Sequence, residues 1–302
     1  MLKRTRSFLV LVMLLMTVTM SAQVTTATMS GKVTAQDEPI IGATIVAIHE
    51  PSGTRYGTVT NVSGQFNLQG MRTGGPYKVE ISYVGYQTAI YKGINLLLGE
   101  NYVLNVSLKE SSELLDEVVV TASKESNMKS DRAGAIMNAN RDMISNTPTI
   151  SRSISDIMRL SPQGADVGNG FAVGGGNYRQ SFVTVDGAAF NNTFGLGGNL
   201  PANGSPISLD ALEQVTVAVT PFDVRQSGFT GGAINAVTRS GDNQFRGTAY
   251  MYFNNENLKG SKVDDYELLR SKAQYYTYGA SFGGPIIKDK LFFFVNGEYE
   301  DN

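Results

Sequence analysis

Leu115-Asp116-Glu117-Val118-Val119-Val120-Thr121-Ala122 is the stretch on which the organisation of this chain turns. Three consecutive valines favour an extended backbone. The acidic pair before them, with Thr121 and Ser123, keeps the segment soluble when it is unpaired. The residues leave two readings open. The segment can be a strand that adds to the sheet edge of a partner through main-chain hydrogen bonds. It can equally be the last strand of the domain that precedes it. The flanking sequence bears on the choice.

Upstream, residues 26–109 have the pattern of an all-β module. Tyr102, Leu104, Val106 and Leu108 alternate with Val103, Asn105, Ser107 and Lys109, which predicts a strand with one buried face. Val79, Ile81 and Tyr83 alternate with Lys78, Glu80 and Ser82 in the same way. Residues Ala43 to Ile48 form a more uniformly apolar run, as expected of a strand covered on both sides. Turn signals at Asp37-Glu38-Pro39, Pro51-Ser52-Gly53, Asn61-Val62-Ser63-Gly64 and Gly74-Gly75-Pro76 separate the runs. About seven short strands at this spacing indicate a small sandwich.

Composition narrows the function classes. The chain has 302 residues with 25 Lys plus Arg against 27 Asp plus Glu, so charge makes no case for nucleic-acid binding. It has no cysteine and one histidine, His49, which rules out disulfides, thiolate metal sites and a histidine-built zinc centre. His49, alone at a strand end, is expected to be a packed or solvated side chain. The absence of cysteine fits export into an oxidising periplasm. Lys3, Arg4 and Arg6, an apolar stretch from Phe8 to Met20, and then Ser21-Ala22 predict an export signal cleaved near Ala22–Gln23. That stretch is shorter than the ~20 residues a spanning helix needs. With no other apolar span, entry into a membrane requires a barrel.

Downstream, from Met128 to about Gly241, the pattern is mixed α+β. Ile150, Ile154, Ile157 and Met158 fall at helical spacing, with Thr149 or Ser151 as cap and Ser161-Pro162 as stop. Phe182 to Val185 and Val215 to Val219 predict strands, and Ser208 is placed to cap a short helical turn from Leu209 to Glu213. The loops are rich in glycine, at 168, 170, 174–176, 195, 197 and 198. A phosphate-binding reading needs a helix after the glycines, and Gly174-Gly175-Gly176 leads instead towards a strand. Asp186 and Arg239, without a histidine or cysteine partner, are read as salt-bridge formers rather than catalysts.

After Gly241 the period becomes two. Phe245, Gly247, Ala249, Met251 and Phe253 alternate with Arg246, Thr248, Tyr250, Tyr252 and Asn254. Similar runs cover Tyr275–Phe282 and Leu291–Tyr299, joined first by a long polar loop (255–274) and then by a short turn (284–290). One apolar face, aromatic ends and alternating loop lengths match outer-membrane strands.

Four resemblances follow from these residues. Gly31-Lys32-Val33, Pro39-Ile40-Ile41-Gly42-Ala43, Thr60-Asn61-Val62-Ser63-Gly64-Gln65-Phe66 and Ser82-Tyr83-Val84-Gly85-Tyr86 resemble the carboxypeptidase-regulatory-like domain, with Asn61 where an Asp is usual. Asp116, Glu117, Val118, Val119, Val120, Thr121 and Ala122 resemble the TonB box of TonB-dependent outer-membrane receptors. The run Ser227 to Gly241, with Phe171–Gly176 through Val185-Asp186-Gly187, is similar to the plug domain of those receptors, although an arginine usual within the first glycine cluster stands here as Arg179. Gly283 to Phe294 resembles the second and third barrel strands of Oar-like receptors.

The resemblance implies an all-β sandwich followed by an α+β plug domain and the first strands of a transmembrane β-barrel. Expected boundaries are a signal peptide (1–22), sandwich (23–112), TonB box and linker (113–127), plug (128–240) and barrel start (241–302). Three strands fall short of the about 22 of plugged transporters, so the sequence is expected to be the N-terminal part of a longer receptor. The implied partners are TonB, the outer membrane and an external ligand, with no cofactor, metal, catalytic residue or nucleic acid. Asn177, Tyr178, Arg179, Asn191 and Asn192 are the expected ligand-facing plug-loop residues. The alternatives are a surface or adhesion protein of the same fold, or a soluble periplasmic interaction protein.

Overall fold

A computed structural model describes residues 25–110, 118–121, 136–149, 152–167, 170–191, 207–219, 231–258, 260, 262–263, 266–267 and 274–301. The expected export signal, Asp116, Glu117, Ala122 and Asn192 lie outside the described residues.

The first module consists of two five-stranded sheets packed on one core. In the first sheet, β1 (Ala27–Ala35) is the axis. It runs antiparallel to β2 (Glu38–Pro39) and β5 (Gln65–Met71) and parallel to β8 (Asn101–Val103) and β9 (Val106–Ser107). The second sheet comprises β3 (Thr44–His49), β4 (Thr54–Val59), β6 (Gly74–Ser82), β7 (Ala89–Leu96) and β10 (Val118–Thr121), in the order β10-β7-β6-β3-β4. Alternation along the strands becomes burial. Met29, Val33, Phe66, Leu68 and Met71 from one sheet meet Ile45, Tyr77, Val79, Ile81 and Ile94 from the other.

Two expectations for this module change. The strand predicted around 102–108 is split, because Leu104 N donates to Ser30 O (2.8 Å) and Asn105 accepts from Lys32 N (3.0 Å), so that β8 and β9 both track β1. This close approach requires Gly31: a Cβ there would lie 1.8 Å from the carbonyl oxygen of Leu104. In β3, burial alternates: Ile45, Ala47 and His49 are buried while Val46 and Ile48 are only half-covered. Among the described residues the strand has a core behind it on one face.

The second module contains β11 (Ile136–Asn140), α1 (Arg141–Asn146), α2 (Ile154–Met158), β12 (Gly164–Asp166), β13 (Phe171–Val173), β14 (Phe182–Val185), β15 (Ala188–Ala189), β16 (Leu212–Ala218) and β17 (Ala233–Thr238). Its sheet has the order β11-β16-β17-β14-β15, with β14 parallel to β17. Asn140 caps α1 by accepting from Met143 N (2.9 Å). Helix α2 starts only at Ile154, after Ser153, which makes no side-chain capping bond. It buries Ile154, Ile157 and Met158 in a core with Phe171, Val183, Val215, Val217 and Ile234.

The remaining residues form an antiparallel meander of β18 (Arg246–Asn255), β21 (Gln274–Ile287) and β22 (Leu291–Asp301). Between the first two, β19 (Lys262–Val263) and β20 (Tyr266–Glu267) make a small hairpin. Strand β21 continues through Pro285 to Ile287, so the turn is tighter than expected and closes with Lys290 N donating to Ile287 O (3.1 Å). Register places Met251, Tyr278 and Tyr299 side by side, and likewise Phe282 and Val295. All five are exposed, with Phe245 stacked on Phe282 at 5.9 Å. The other face turns towards the second module.

Candidate functional site

The valine-rich segment emerges as a β-strand seated on the first module. Val118, Val119, Val120 and Thr121 pair in parallel with Ala89, Ile90, Tyr91 and Lys92 of β7. Strand β10 is the outermost of its sheet, so among the described residues it is paired on one side only. The path into it is anchored: Gln87 N donates to Lys109 O (2.9 Å), and Tyr86 bridges Glu110. Lys109 and Glu110 therefore lie beside the start of β7, the strand on which β10 pairs. Pairing stops at Lys92, just before Gly93, whose φ of +79° belongs to an irregularity in the β6–β7 register.

The glycine-rich loops form a second candidate region. After Gly174-Gly175-Gly176 comes a 310 turn, Tyr178–Gln180, which the sequence reading did not place there. Asn177 caps it, accepting from Arg179 N (3.0 Å), while Gln180 Oε1 accepts from Asn177 N (2.9 Å). Arg179 folds back so that its Nε donates to the Tyr178 hydroxyl at 3.1 Å. Asn191 approaches the same turn: its Nδ2 donates to Ser181 O (2.8 Å) and its Oδ1 accepts from Val183 N (2.6 Å). Four of the five expected loop residues thus cluster around one turn, but both ends of the Asn191 amide are engaged by backbone.

A polar seam, not foreseen from sequence, joins the second module to the meander. Ser208 Oγ caps its 310 turn at Asp210 N (3.2 Å), lies 2.9 Å from the Tyr250 hydroxyl and donates to Glu298 Oε2 (3.0 Å). The Tyr250 hydroxyl also donates to Glu298. Arg152 lies over both Tyr250 (4.6 Å) and Tyr252 (4.1 Å) and donates to the Tyr252 hydroxyl (2.7 Å). Thr248 Oγ1 donates to Asp210 Oδ2 (2.7 Å). Arg239 is buried, donates to Asp210 O (3.1 Å), sits 3.7 Å from the Asp210 carboxylate and covers Phe294. Arg239 therefore forms the expected ion pair. Among the described residues Asp186 accepts from Thr238 N (2.9 Å) and Thr238 Oγ1 (2.6 Å), securing the end of β17. Apart from the local Ser208 cap, these partners are separated by 29 to 100 positions in the chain, so no local pattern announces them.

The first module meets the others through a cavity of about 240 Å³ lined by His49, Arg72, Arg141, Glu213, Asp242 and Arg246, among others. Arg72 bonds Ser240, and Asn243 N donates to Pro51 O (3.0 Å). His49 is buried at the end of β3, with Nδ1 2.7 Å from Ser52 Oγ and its ring 5.0 Å from that of Tyr77. Burial, and then the Arg72 guanidinium, push its imidazole down from 6.5 to about 4. It is a packed neutral histidine.

Residues 28–109 match the carboxypeptidase regulatory-like domain, and residues 237–301 match an outer membrane beta barrel domain. The chain is 31% identical over 152 residues to the TonB-dependent transporter Oar of Myxococcus xanthus, covering 48% of this chain and 14% of that protein. It is 29% identical over 269 residues to the TonB-dependent receptor SusC of Bacteroides thetaiotaomicron, covering 84% of this chain and 24% of that one. The chain thus spans about a quarter or less of the length of these relatives. Among solved structures, the siderophore receptor PirA of Acinetobacter baumannii aligns over 55% of this chain and 24% of its own, with 20% identity and a TM-score of 0.44. The chain is homologous to TonB-dependent transporters, and its barrel domain places it in the outer membrane.

Proposed function

We propose that this homologue of TonB-dependent transporters is the N-terminal part of an outer-membrane importer whose second module is a plug. In this reading the meander begins the barrel that encloses the plug. An external ligand meets the loops around Asn177, Tyr178 and Arg179, and TonB pairs with the Val118–Thr121 strand from the periplasm. Pulling on that strand then displaces the plug. The observation that carries the reading is the position of an edge strand between the first module and the second. The exposed apolar face of the meander supports a lipid-facing wall. Each strand hydrogen bond contributes a net ~0.5–1.5 kcal/mol, so a handful gives a grip that is firm yet reversible.

The test is Val119→Pro, which removes a backbone donor from the centre of the strand. TonB binding and TonB-dependent ligand uptake are expected to disappear while the protein still reaches the outer membrane. Unchanged binding and uptake would remove the basis for the proposal. Uptake that is the same with and without TonB would point instead to a surface protein of the same fold.

A further inference from the structure

We infer that the first module is a docking platform: it presents the valine strand to TonB already ordered, and TonB adds to the outer edge of β10 without displacing it from β7. This rests on reading Val118–Thr121 as the TonB box. In a β-strand, successive residues turn their N–H and C=O groups to opposite sides, so pairing with β7 uses alternate residues of β10 and leaves the others turned outward. Among the described residues those outward groups are an unfilled ladder at the rim of the sheet. A partner strand placed there extends the sheet β10-β7-β6-β3-β4 by one.

The support beneath β10 is firm. Ala89 of β7 belongs to the core, Ile90 beside it is buried, and β7 is itself paired to β6. Only seven positions separate Glu110, bridged to Tyr86, from Val118, so the strand stays at a high effective concentration beside its seat. An isolated segment would have to be ordered by TonB alone. A segment already held extended has lost that freedom in advance, and pre-ordering of this kind strengthens binding. The platform gives the first module a role that its family description does not assign. It also routes the pull of TonB into the module whose Arg72 and Pro51 contact residues 240–243 ahead of β18.

The chain has no cysteine, so one engineered disulfide tests the idea cleanly. Lys92 and Thr121 are register partners, and neighbouring strands lie ~4.8 Å apart, within the Cα range of a disulfide. The Lys92→Cys/Thr121→Cys receptor, extracted whole from outer membranes, is titrated with the periplasmic domain of TonB in oxidised and reduced forms. The platform predicts that the disulfide forms and that the oxidised receptor binds as tightly as the reduced one or tighter, by up to roughly tenfold. Loss of binding on oxidation, restored by reduction, would overturn it and make β7 a competitor of TonB. Failure of the disulfide to form would also overturn it, because the strand would not be seated. Absence of binding in both forms, together with no binding by the unmodified receptor, would reject the TonB-box reading itself.

Discussion

The guanidinium carbon of Arg239, at the end of the second module, lies 4.8 Å from the ring centroid of Phe294 on β22. The same side chain reaches back to Asp210, so one buried cation ties the end of β17 to a 310 turn of its own module and to the meander. Charge, ring and carboxylate come from three separate parts of the chain.

Replacing Arg239 with Ala leaves the Asp210 carboxylate without its ion-pair partner and uncovers Phe294. A loss of about 2–4 kcal/mol at the seam is expected. Arg239→Lys keeps the charge but not the flat face, and should recover only part of it. Limited proteolysis of the second module in detergent-extracted protein, at rising temperature, reads the difference.

A second prediction concerns the network under Tyr250. Tyr250→Phe removes the hydroxyl that Ser208 and Glu298 share, with an expected cost of about 1–2 kcal/mol. Gly279 is the register partner of Tyr250, and a Cβ there would lie 2.1 Å from the Tyr250 Cζ. Gly279→Ala should therefore push the ring off Glu298. The double variant should lose less than the sum of the two, because both changes break the same contact. Thermal unfolding of the four proteins measures this coupling.

His49 predicts a pH effect on the first module. Its folded-state value of about 4 is below the ordinary 6.5, so between these values the unfolded chain binds a proton that the folded chain refuses. Stability should fall as pH drops below about 6.5, with a slope approaching ~1.4 kcal/mol per pH unit, and level off near 4. His49 is the chain's single histidine, so His49→Gln should flatten the profile between pH 5 and 6.5. Denaturant melts across that range, with equal slopes for both proteins, would contradict the assignment.

Gly31→Ala tests the close packing of β1. The added methyl meets the Leu104 carbonyl and the Phe66 ring, and a loss of about 3 kcal/mol is expected. Hydrogen exchange should locate the damage at β8 and β9, the two strands that lean on β1 at this point.

Much of the fold was legible because alternation and turn chemistry act over a few residues. Val79 and Ile81, and Leu104, Val106 and Leu108, each bury every second side chain, as their spacing demands. Met251 and Phe253 likewise share one face of β18. One error arose where distant chain intervened, since Leu104-Asn105 breaks an expected strand by bonding β1; α2, separately, starts only at Ile154. The turn at Tyr178 escaped notice because its capping pair, Asn177 and Gln180, follows three glycines that mask the pattern.

By itself the sequence determined a chain of mostly β modules, an apolar meander face and a β-prone valine segment between two domains, since each follows from side-chain order along a few residues. Only the tertiary structure decided that this segment sits on β7 at the edge of the described sheet, and that Arg239, Tyr250 and Glu298 bind the modules together. Strand pairing and buried polar contacts join residues from separate parts of the chain, and periodicity carries no information about which edge a strand will find.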